Sequence, residues 1–541
     1  MQDHALYQIS QIRQIELSEK AKLASGSLMR LAGASAVPLI TQLLASSTTK
    51  KIAILAGPGD NGGDAFELAF QLSQSHEIQS PETENTTQYI LHVIACGDTS
   101  SYSEEAKQAL QRAQSAPMRW LNLDQAQQFN PAQYDLIVDG LFGIGLSRPI
   151  TGAIATLIQS INKQAKCPVI ALDIPSGIHA DTGQIVLANP VDHGEANAIE
   201  HAEGIAIVAS HTISFIANKP GLHTAQGKDH AGLVSVAHLG INLQNYPPAF
   251  AQLTDPDAQA TLIKVRKHDS NKGSYGDVLI VGGCQGMQGA PLLAGCAALL
   301  TGAGRVYVAL LEMEFGIRAA YPELMIRAAD RCDFSQANLV LGPGMGRADS
   351  ARELLQLALR QAPTLLLDAD ALNLLADDQA LTQSCRERSI RTNSNQKKSN
   401  TAWRTLLTPH PLEAARLLHY SLAEIQADRC KAAQMLARKF HATIILKGAG
   451  SIIANEESIT INSSGNPALA TAGTGDVLAG VCGSLLAQGL SAFDAARLGA
   501  FIHGLGAERC VEKGIGPIGL SASELIPEIR AALNHLVYTH S

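Results

Sequence analysis

Lys51-Ile52-Ala53-Ile54-Leu55-Ala56-Gly57, followed at once by Pro58-Gly59-Asp60-Asn61-Gly62-Gly63-Asp64, decides the fold class of this chain. A short apolar run that ends at glycine and leads into a helical stretch reads as a buried strand, a turn facing a ligand, and a helix. Similar apolar runs recur at Tyr89–Cys96, Tyr134–Asp139, Pro168–Asp173, His211–Ala217 and Gly232–Val236, most of them separated by helical stretches. That alternation predicts a parallel sheet with helices on both faces, the α/β class. Upstream, Met1–Ser47 has apolar residues at helical spacing through Leu28, Leu31, Leu39 and Leu43, and reads as helix.

Between Ile241 and Lys264 the chain turns polar and carries Pro247, Pro248 and Pro256. A boundary there divides the chain into 1–245 and 246–541. A second alternating series follows, with strands expected at Asp277–Gly283, Val306–Leu310, Asn338–Gly342, Thr364–Asp368, Thr405–Thr408 and Thr443–Lys447, then a hairpin of Ser451–Asn455 with Ile459–Asn462. A long buried helix is expected from near Gly475. Ser384–Arg404 is basic and unpatterned and reads as a surface loop. Ala188–Gly204 also reads as loop; its His193, Glu195, Glu200 and His201 match no metal-ligand spacing.

Composition narrows the function. At 541 residues the chain exceeds what one core holds, so two or three domains are expected. A net charge of −8 gives no general attraction to nucleic acid or anionic membranes, so any phosphate must be held by local amides and a few side chains. The 9 cysteines are scattered without a C-x-x-C pair, which excludes zinc and thioredoxin-like readings and fits a reducing cytoplasm. Met1–Ile15 lacks the apolar core of a signal peptide. The apolar stretch Ala468–Leu490 is interrupted by Asp476, which argues for a buried helix rather than a membrane span.

Three loops of the first half fall at expected strand ends. The Gly57–Asp64 turn lets backbone approach a ligand and leads into a helix N-terminus that favours phosphate. Its spacing is not G-x-G-x-x-G and no acidic residue ends the next strand, so hydride transfer is disfavoured. Asp139-Gly140-Leu141-Phe142-Gly143-Ile144-Gly145-Leu146-Ser147-Arg148-Pro149 and Asp173-Ile174-Pro175-Ser176-Gly177 follow later strands. Strand carboxyl ends converge on the ligand crevice of an open α/β sheet, so Asn61, Asp139, Asp173 and Ser176 are expected in one polar site. Any one of these carboxylates alone reads as a helix cap.

These three motifs together resemble the NAD(P)H-hydrate epimerases. The resemblance implies a Rossmann-like three-layer domain. It implies that Asp60, Asn61, Gly62, Gly63 and Asp64, with Gly143, Ile144, Gly145, Leu146, Ser147, Arg148 and Pro149, hold the damaged dinucleotide. It implies that Asp173 faces the hydrated ring and that Asn61, Asp139 and Ser176 hold potassium. Asp60 stands where that family usually has Asn, and Ala65 where Gly is common. An added carboxylate near a phosphate weakens binding unless it points away.

The second half carries Asn466-Pro467-Ala468-Leu469-Ala470-Thr471-Ala472-Gly473-Thr474-Gly475-Asp476 before an apolar helix. Its glycine turn offers amides to a phosphoryl group, and Asp476 in the first helical turn can take a proton from a substrate hydroxyl. The plainer reading is an Asp favoured by the helix dipole. This G-T-G-D resembles ribokinase-like kinases. Together with Asp368–Asn373, Leu407–Glu413, Leu446–Ser451, Lys272–Gly276 and Gly342–Gly346, it resembles the NAD(P)H-hydrate dehydratases. The resemblance implies that Lys447, Gly448, Ala449, Gly450, Ser451 and Gly475 contact ADP, with magnesium, and that Ala290, Gly344, His410 and Asp476 contact the hydrated nucleotide.

The halves share no motif, so the chain is not a repeat. An epimerase joined to a dehydratase would clear both epimers of the hydrates of NADH and NADPH (NADHX and NADPHX). A homo-oligomer acting on these small molecules and ADP, with no nucleic acid or membrane partner, is expected. Two other readings stand beside this one. A vitamin or sugar kinase with an accessory nucleotide-binding domain would use G-T-G-D equally well, and a nucleotide sensor would bind ADP without turnover.

Overall fold

The computed structural model describes residues 4–44, 49–74, 88–97, 100, 102–122, 129–187, 204–312, 321–390 and 403–539. It separates into two compact units, 1–251 and 252–541.

The first unit has strands β1 (Thr49–Ala56), β2 (Gln88–Ala95), β3 (Arg119–Asn122), β4 (Leu136–Gly140), β5 (Val169–Leu172), β6 (His211–Phe215) and β7 (Leu233–Ala237). Their order is β3-β2-β1-β4-β5-β6-β7, and every pairing is parallel. Ile52 to Ala56 and Leu136 to Val138 are fully buried, as befits strands covered on both faces. The order reverses between β1 and β4, so their carboxyl ends open a crevice at the switch point. The loops Gly57–Asp64 and Leu141–Pro149 leave the sheet there. Gly57 is required at this place because a Cβ would lie 1.7 Å from the Leu141 carbonyl oxygen. The stretch expected to be helical upstream is two helices, Ile9–Lys20 and Ser27–Leu43, broken at Gly26, whose φ of 72° is left-handed.

The second unit has β8 (Ala251–Leu253), β9 (Asp277–Gly282), β10 (Arg305–Leu310), β11 (Met325–Ala328), β12 (Asn338–Leu341), β13 (Thr364–Leu367), β14 (Arg404–Leu407), β15 (Thr443–Leu446), β16 (Ile452–Ala454) and β17 (Ile459–Ile461). They run β8-β17-β16-β15-β14-β13-β12-β9-β10-β11. All pairings are parallel except β15–β16 and the β16–β17 hairpin. The sheet reverses between β9 and β12, where Gly342–Gly346 emerges. Helix Thr474–Ala487 is apolar nearly all round because it is enclosed: Val477, Ala479, Val481, Cys482 and Leu485 are fully buried. Gly480 lets it press on the helix Gly289–Leu300, since a Cβ there would lie 2.0 Å from the Ala294 carbonyl oxygen.

Three expectations need correction or completion. Ser384–Ile390 is not loop: it continues the helix Gln379–Ile390. The reason is Arg388, which is 1% exposed, donates to Thr405 Oγ1 at 3.1 Å and stacks on Trp403. A basic residue that reads as solvated in the sequence is therefore an anchor. Residues 391–402, and the Ala188–Gly204 stretch up to 203 with its His and Glu residues, lie outside the described residues. The edge strands β3 and β11 were absent from the sequence reading, because Arg-Trp-Leu-Asn and Met-Ile-Arg-Ala are short, half-polar and half-exposed. The chain belongs to the α/β class, with an all-parallel seven-stranded sheet in its first unit and a mostly parallel sheet in its second. No helix of the described residues is long and apolar enough to cross a membrane.

Candidate functional sites

In the first unit the crevice is a cleft of about 760 Å³. Asp60, Asn61, Asp64, the loop Gly143–Pro149 and Asp173 line it, so the dinucleotide residues expected from sequence meet in one place, except that Gly62 and Gly63 pack behind. Ile12, Arg13 and Glu16 of the helix Ile9–Lys20 form a wall that no sequence motif had marked.

Asp139 and Ser176 do not line the cleft: Asp139 is fully buried beneath it, at the end of β4. Its Oδ1 accepts from Ser176 Oγ at 2.6 Å and from Leu141 N at 3.2 Å, and its Oδ2 from Ser176 N at 2.8 Å. Burial pushes its carboxyl up to about 6, against the pull of those Ser176 and Leu141 donors. Asn61 starts the helix Asp60–Gln74 and is 7% exposed, yet neither its Oδ1 nor its Nδ2 has a hydrogen-bond partner among the described residues. A buried, unanswered amide normally calls for a bound group. Its side chain lies beside Gly143, where a Cβ would be 3.4 Å from Asn61 Cβ and 3.0 Å from Asp173 Oδ2.

Asp173 follows β5 with φ of 67°, a left-handed backbone that a non-glycine residue adopts only when its surroundings hold it. Oδ2 accepts from Ile144 N at 3.3 Å, and Lys219 Nζ stands 2.8 Å from Oδ1. The carboxyl of Asp64 is raised well above its usual range, first by burial and then by the nearby charge of Asp173. Asp60, the unusual residue of the motif, is exposed and its Oδ1 accepts from Ser103 Oγ at 2.7 Å, so its carboxylate is engaged by the N-cap of the helix Glu104–Gln114.

In the second unit the site is built around Lys447, at the end of β15. Its Nζ is 2.8 Å from Asp368 Oδ1 and 4.0 Å from Glu413 Oε2. Burial alone would lower the ammonium; Asp368 and Glu413 together raise it instead. Thr408 Oγ1 donates to the same Asp368 oxygen at 2.8 Å. Glu413 is 4% exposed and burial pushes its carboxyl up to about 7. Asp368 and Glu413 stood inside quoted motifs without an assigned role. The signal that marks them is a carboxylate directly after a strand (Asp368) or three residues after a helix N-cap, in a capping box (Glu413).

His410 is the N-cap of the helix Pro411–Leu418, with Nδ1 accepting from Leu412 N at 3.1 Å and Glu413 N at 3.3 Å. An accepting Nδ1 leaves the ring proton of the neutral imidazole on Nε2. Burial and the charge of Lys447 both lower the imidazole's pKa and favour that neutral form.

Helix Thr474–Ala487 begins at Gly473, whose φ of 88° is left-handed. Thr474 Oγ1 donates back to Leu469 O and Thr471 O, each at 2.9 Å, which tightens the turn. Asp476, half-buried in the first helical turn, has its carboxyl pushed up to about 6 by burial and by the charge of Asp368. Gly475 faces Lys447, whose Nζ would lie 3.5 Å from a Cβ there. Gly344 and Ala290 meet at the switch point, a Cβ on Gly344 being 3.3 Å from Ala290 Cβ. Asp370 ties that turn to the rest by accepting from Gly346 N at 2.9 Å.

The Lys447–Ser451 turn is braced from below by Arg429, another residue the sequence reading did not single out. This guanidinium is 2% exposed and donates to the carbonyls of Leu446, Lys447, Ala449 and Gly450.

Residues 25–221 match the family model for the YjeF-related protein N-terminus, and residues 278–530 match that for NAD(P)H-hydrate dehydratase. Along 98% of its length the chain is 34% identical to a bifunctional NAD(P)H-hydrate repair enzyme of Coxiella burnetii, covering 99% of that protein. It is 32% identical to the corresponding Escherichia coli enzyme, over 89% of this chain and 84% of that one. Its second half is 39% identical to an ADP-dependent (S)-NAD(P)H-hydrate dehydratase of Neisseria meningitidis, over 51% of this chain and 90% of that one.

Proposed function

The chain belongs to the family of bifunctional NAD(P)H-hydrate repair enzymes, and from that premise we infer how its own residues divide the work. The protein epimerises hydrated NADH and NADPH and dehydrates the S form at the expense of ADP; the kinase reading is not favoured. The observation that carries our assignment of the second site is the Asp476 carboxyl at the glycine turn, lifted to about 6 beside Lys447.

In this reading Asp476 removes the proton of the ring hydroxyl as its oxygen attacks the terminal phosphoryl of ADP. The bond to AMP breaks, and the poor leaving group has become a phosphate ester. The ring nitrogen then expels inorganic phosphate, and loss of a proton from the adjacent ring carbon restores the dihydropyridine. Lys447, Gly448–Ser451 and Gly475 cradle the nucleotide, with Arg429 fixing their carbonyls. Ala290, Gly344 and His410 contact the hydrated nucleotide. Magnesium arriving with ADP would offset the surplus carboxylates Asp368 and Glu413.

In the first unit, residues 60–64 and 143–149 hold the dinucleotide and Asp173 faces the hydrated ring. Potassium fits Asn61, Asp139 and Ser176: they supply hard oxygen donors, and the buried Asn61 amide has no hydrogen-bond partner among the described residues. Bound there, the ion would fix three strand-end loops and balance the charge of Asp139. No disulfide joins the cysteines among the described residues, in agreement with work in the cytoplasm.

The test is incubation of the purified protein with hydrated NADH, magnesium and either ADP or ATP. Recovery of reduced-ring absorbance with release of AMP is expected with ADP. An unchanged hydrate, together with ATP-driven phosphorylation of a hydroxymethyl vitamin precursor, would overturn the reading.

A further inference from the structure

We propose that Lys219 is a positioning residue of the epimerase site, holding the Asp173 carboxylate in place from behind the cleft wall; this rests on the assignment of Asp173 to the reaction. Lys219 has no exposed surface and does not line the cleft, whereas Asp173, Phe215 and Ile216 do. It therefore acts through Asp173 and not on the ring.

Four oxygens surround its Nζ: Ser214 Oγ at 2.6 Å, Asp173 Oδ1 at 2.8 Å, Phe215 O at 3.2 Å and Ala217 O at 3.3 Å. The chain is bent to make this cage. Ile216 takes a left-handed φ of 66°, which turns the carbonyls of its two neighbours toward the lysine that follows. Lys219 N in turn donates to Asn218 Oδ1 at 2.9 Å, and the same oxygen is 2.7 Å from His223 Nε2.

The result is an ammonium whose one ion pair among the described residues is with Asp173. Asp173 is then held at both ends. Lys219 at 2.8 Å and the longer Phe215 N–H at 3.4 Å take Oδ1, and Oδ2 is left to the Gly143–Ile144 loop and the cleft. A buried ion pair is weak evidence for stability, since apolar residues of similar volume often serve as well. Its use here is orientation. Asp173 starts from an unfavourable backbone conformation, and its carboxylate needs a fixed partner to present one oxygen to the ring.

The experiment uses the full-length protein carrying Lys219→Met, Lys219→Gln, Asp173→Asn and the Lys219→Met/Asp173→Asn pair. Epimerisation kcat and KM are measured at enzyme concentrations where each rate exceeds the uncatalysed background. Dehydration of the S epimer reports on the rest of the chain, and thermal unfolding on the fold. We expect both Lys219 variants to lose about a hundredfold in kcat, the scale of a misplaced reacting group, with KM and dehydration nearly unchanged. In the Asp173→Asn background, Lys219→Met should cost almost nothing more. Equal losses in both backgrounds would overturn the proposal. So would a Lys219→Gln variant that keeps normal kcat while Lys219→Met fails only by unfolding. Normal kcat in Asp173→Asn would instead remove the role of Asp173 itself, and the proposal with it.

Discussion

Beneath the first cleft Asp139 is met by three donors, and at the cleft wall Asp173 is met by a lysine wholly enclosed in protein. In the second unit a single lysine stands among Asp368, Glu413 and Asp476, and burial lifts the last two carboxyls to about 7 and about 6. The first arrangement is complete before substrate arrives, apart from the unanswered amide of Asn61. The second carries surplus acid that only a nucleotide with its cation can put to use. The difference follows the chemistry proposed for each. Interconverting two epimers requires an oriented ring, whereas phosphorylating a hydroxyl requires a base and a place for moving negative charge.

The comparison breaks most visibly at Asp476. Asp476→Asn should slow dehydration by about a hundredfold to ten-thousandfold, the usual cost of losing a general base. ADP binding, measured by calorimetry, and epimerisation should persist. Near-normal dehydration in this variant would mean that Asp476 only favours the helix dipole.

Asp139→Ala tests the opposite side. Epimerisation should fall, by at least the roughly ten- to hundredfold that weaker disturbance of a metal site costs, and its rate should no longer respond to potassium. Dehydration of the S epimer should be untouched. Were Asp139 only a cap, its loss would cost about 1 kcal/mol of stability and leave the potassium response as in the wild type.

Acidity probes the role of Asp476 without mutation. Asp476 must be ionised to accept a proton, and burial together with the charge of Asp368 pushes its carboxyl up to about 6. The kcat/KM for dehydration should therefore be flat above that value and fall about tenfold per pH unit below it. A profile flat down to pH ~4 would contradict the base assignment.

The architecture was legible because buried parallel strands are continuous apolar runs, and KIAILAG or Asp277–Gly283 can hardly be anything else. The edge strands were not, since a strand such as Arg119–Asn122 carries little apolar signal. The site loops were legible from glycines that only a close backbone approach explains. Lys219, Arg429 and Arg388 were not, because a buried cation looks like a surface cation until its carbonyl partners are assembled from distant segments. Asp60 is an instructive case between the two. Its carboxylate reads as a hindrance to phosphate, and in three dimensions Ser103 holds it. Asp60→Asn should accordingly change the affinity of the first site only a few-fold, the scale of an exposed charge worth about 0.2–1 kcal/mol. A gain well beyond that would show that the carboxylate does face the phosphate.

The coupling of two chemistries on one chain is tested most directly by supplying the purified R epimer of hydrated NADH with ADP and magnesium. The comparison is between wild type and Asp476→Asn, at times short against spontaneous epimerisation. The account predicts that wild type converts the R epimer through to NADH with one AMP formed per NADH, while Asp476→Asn builds up the S epimer and stops. Failure of wild type to draw NADH from the R epimer, with the S epimer never appearing in the variant, would contradict it.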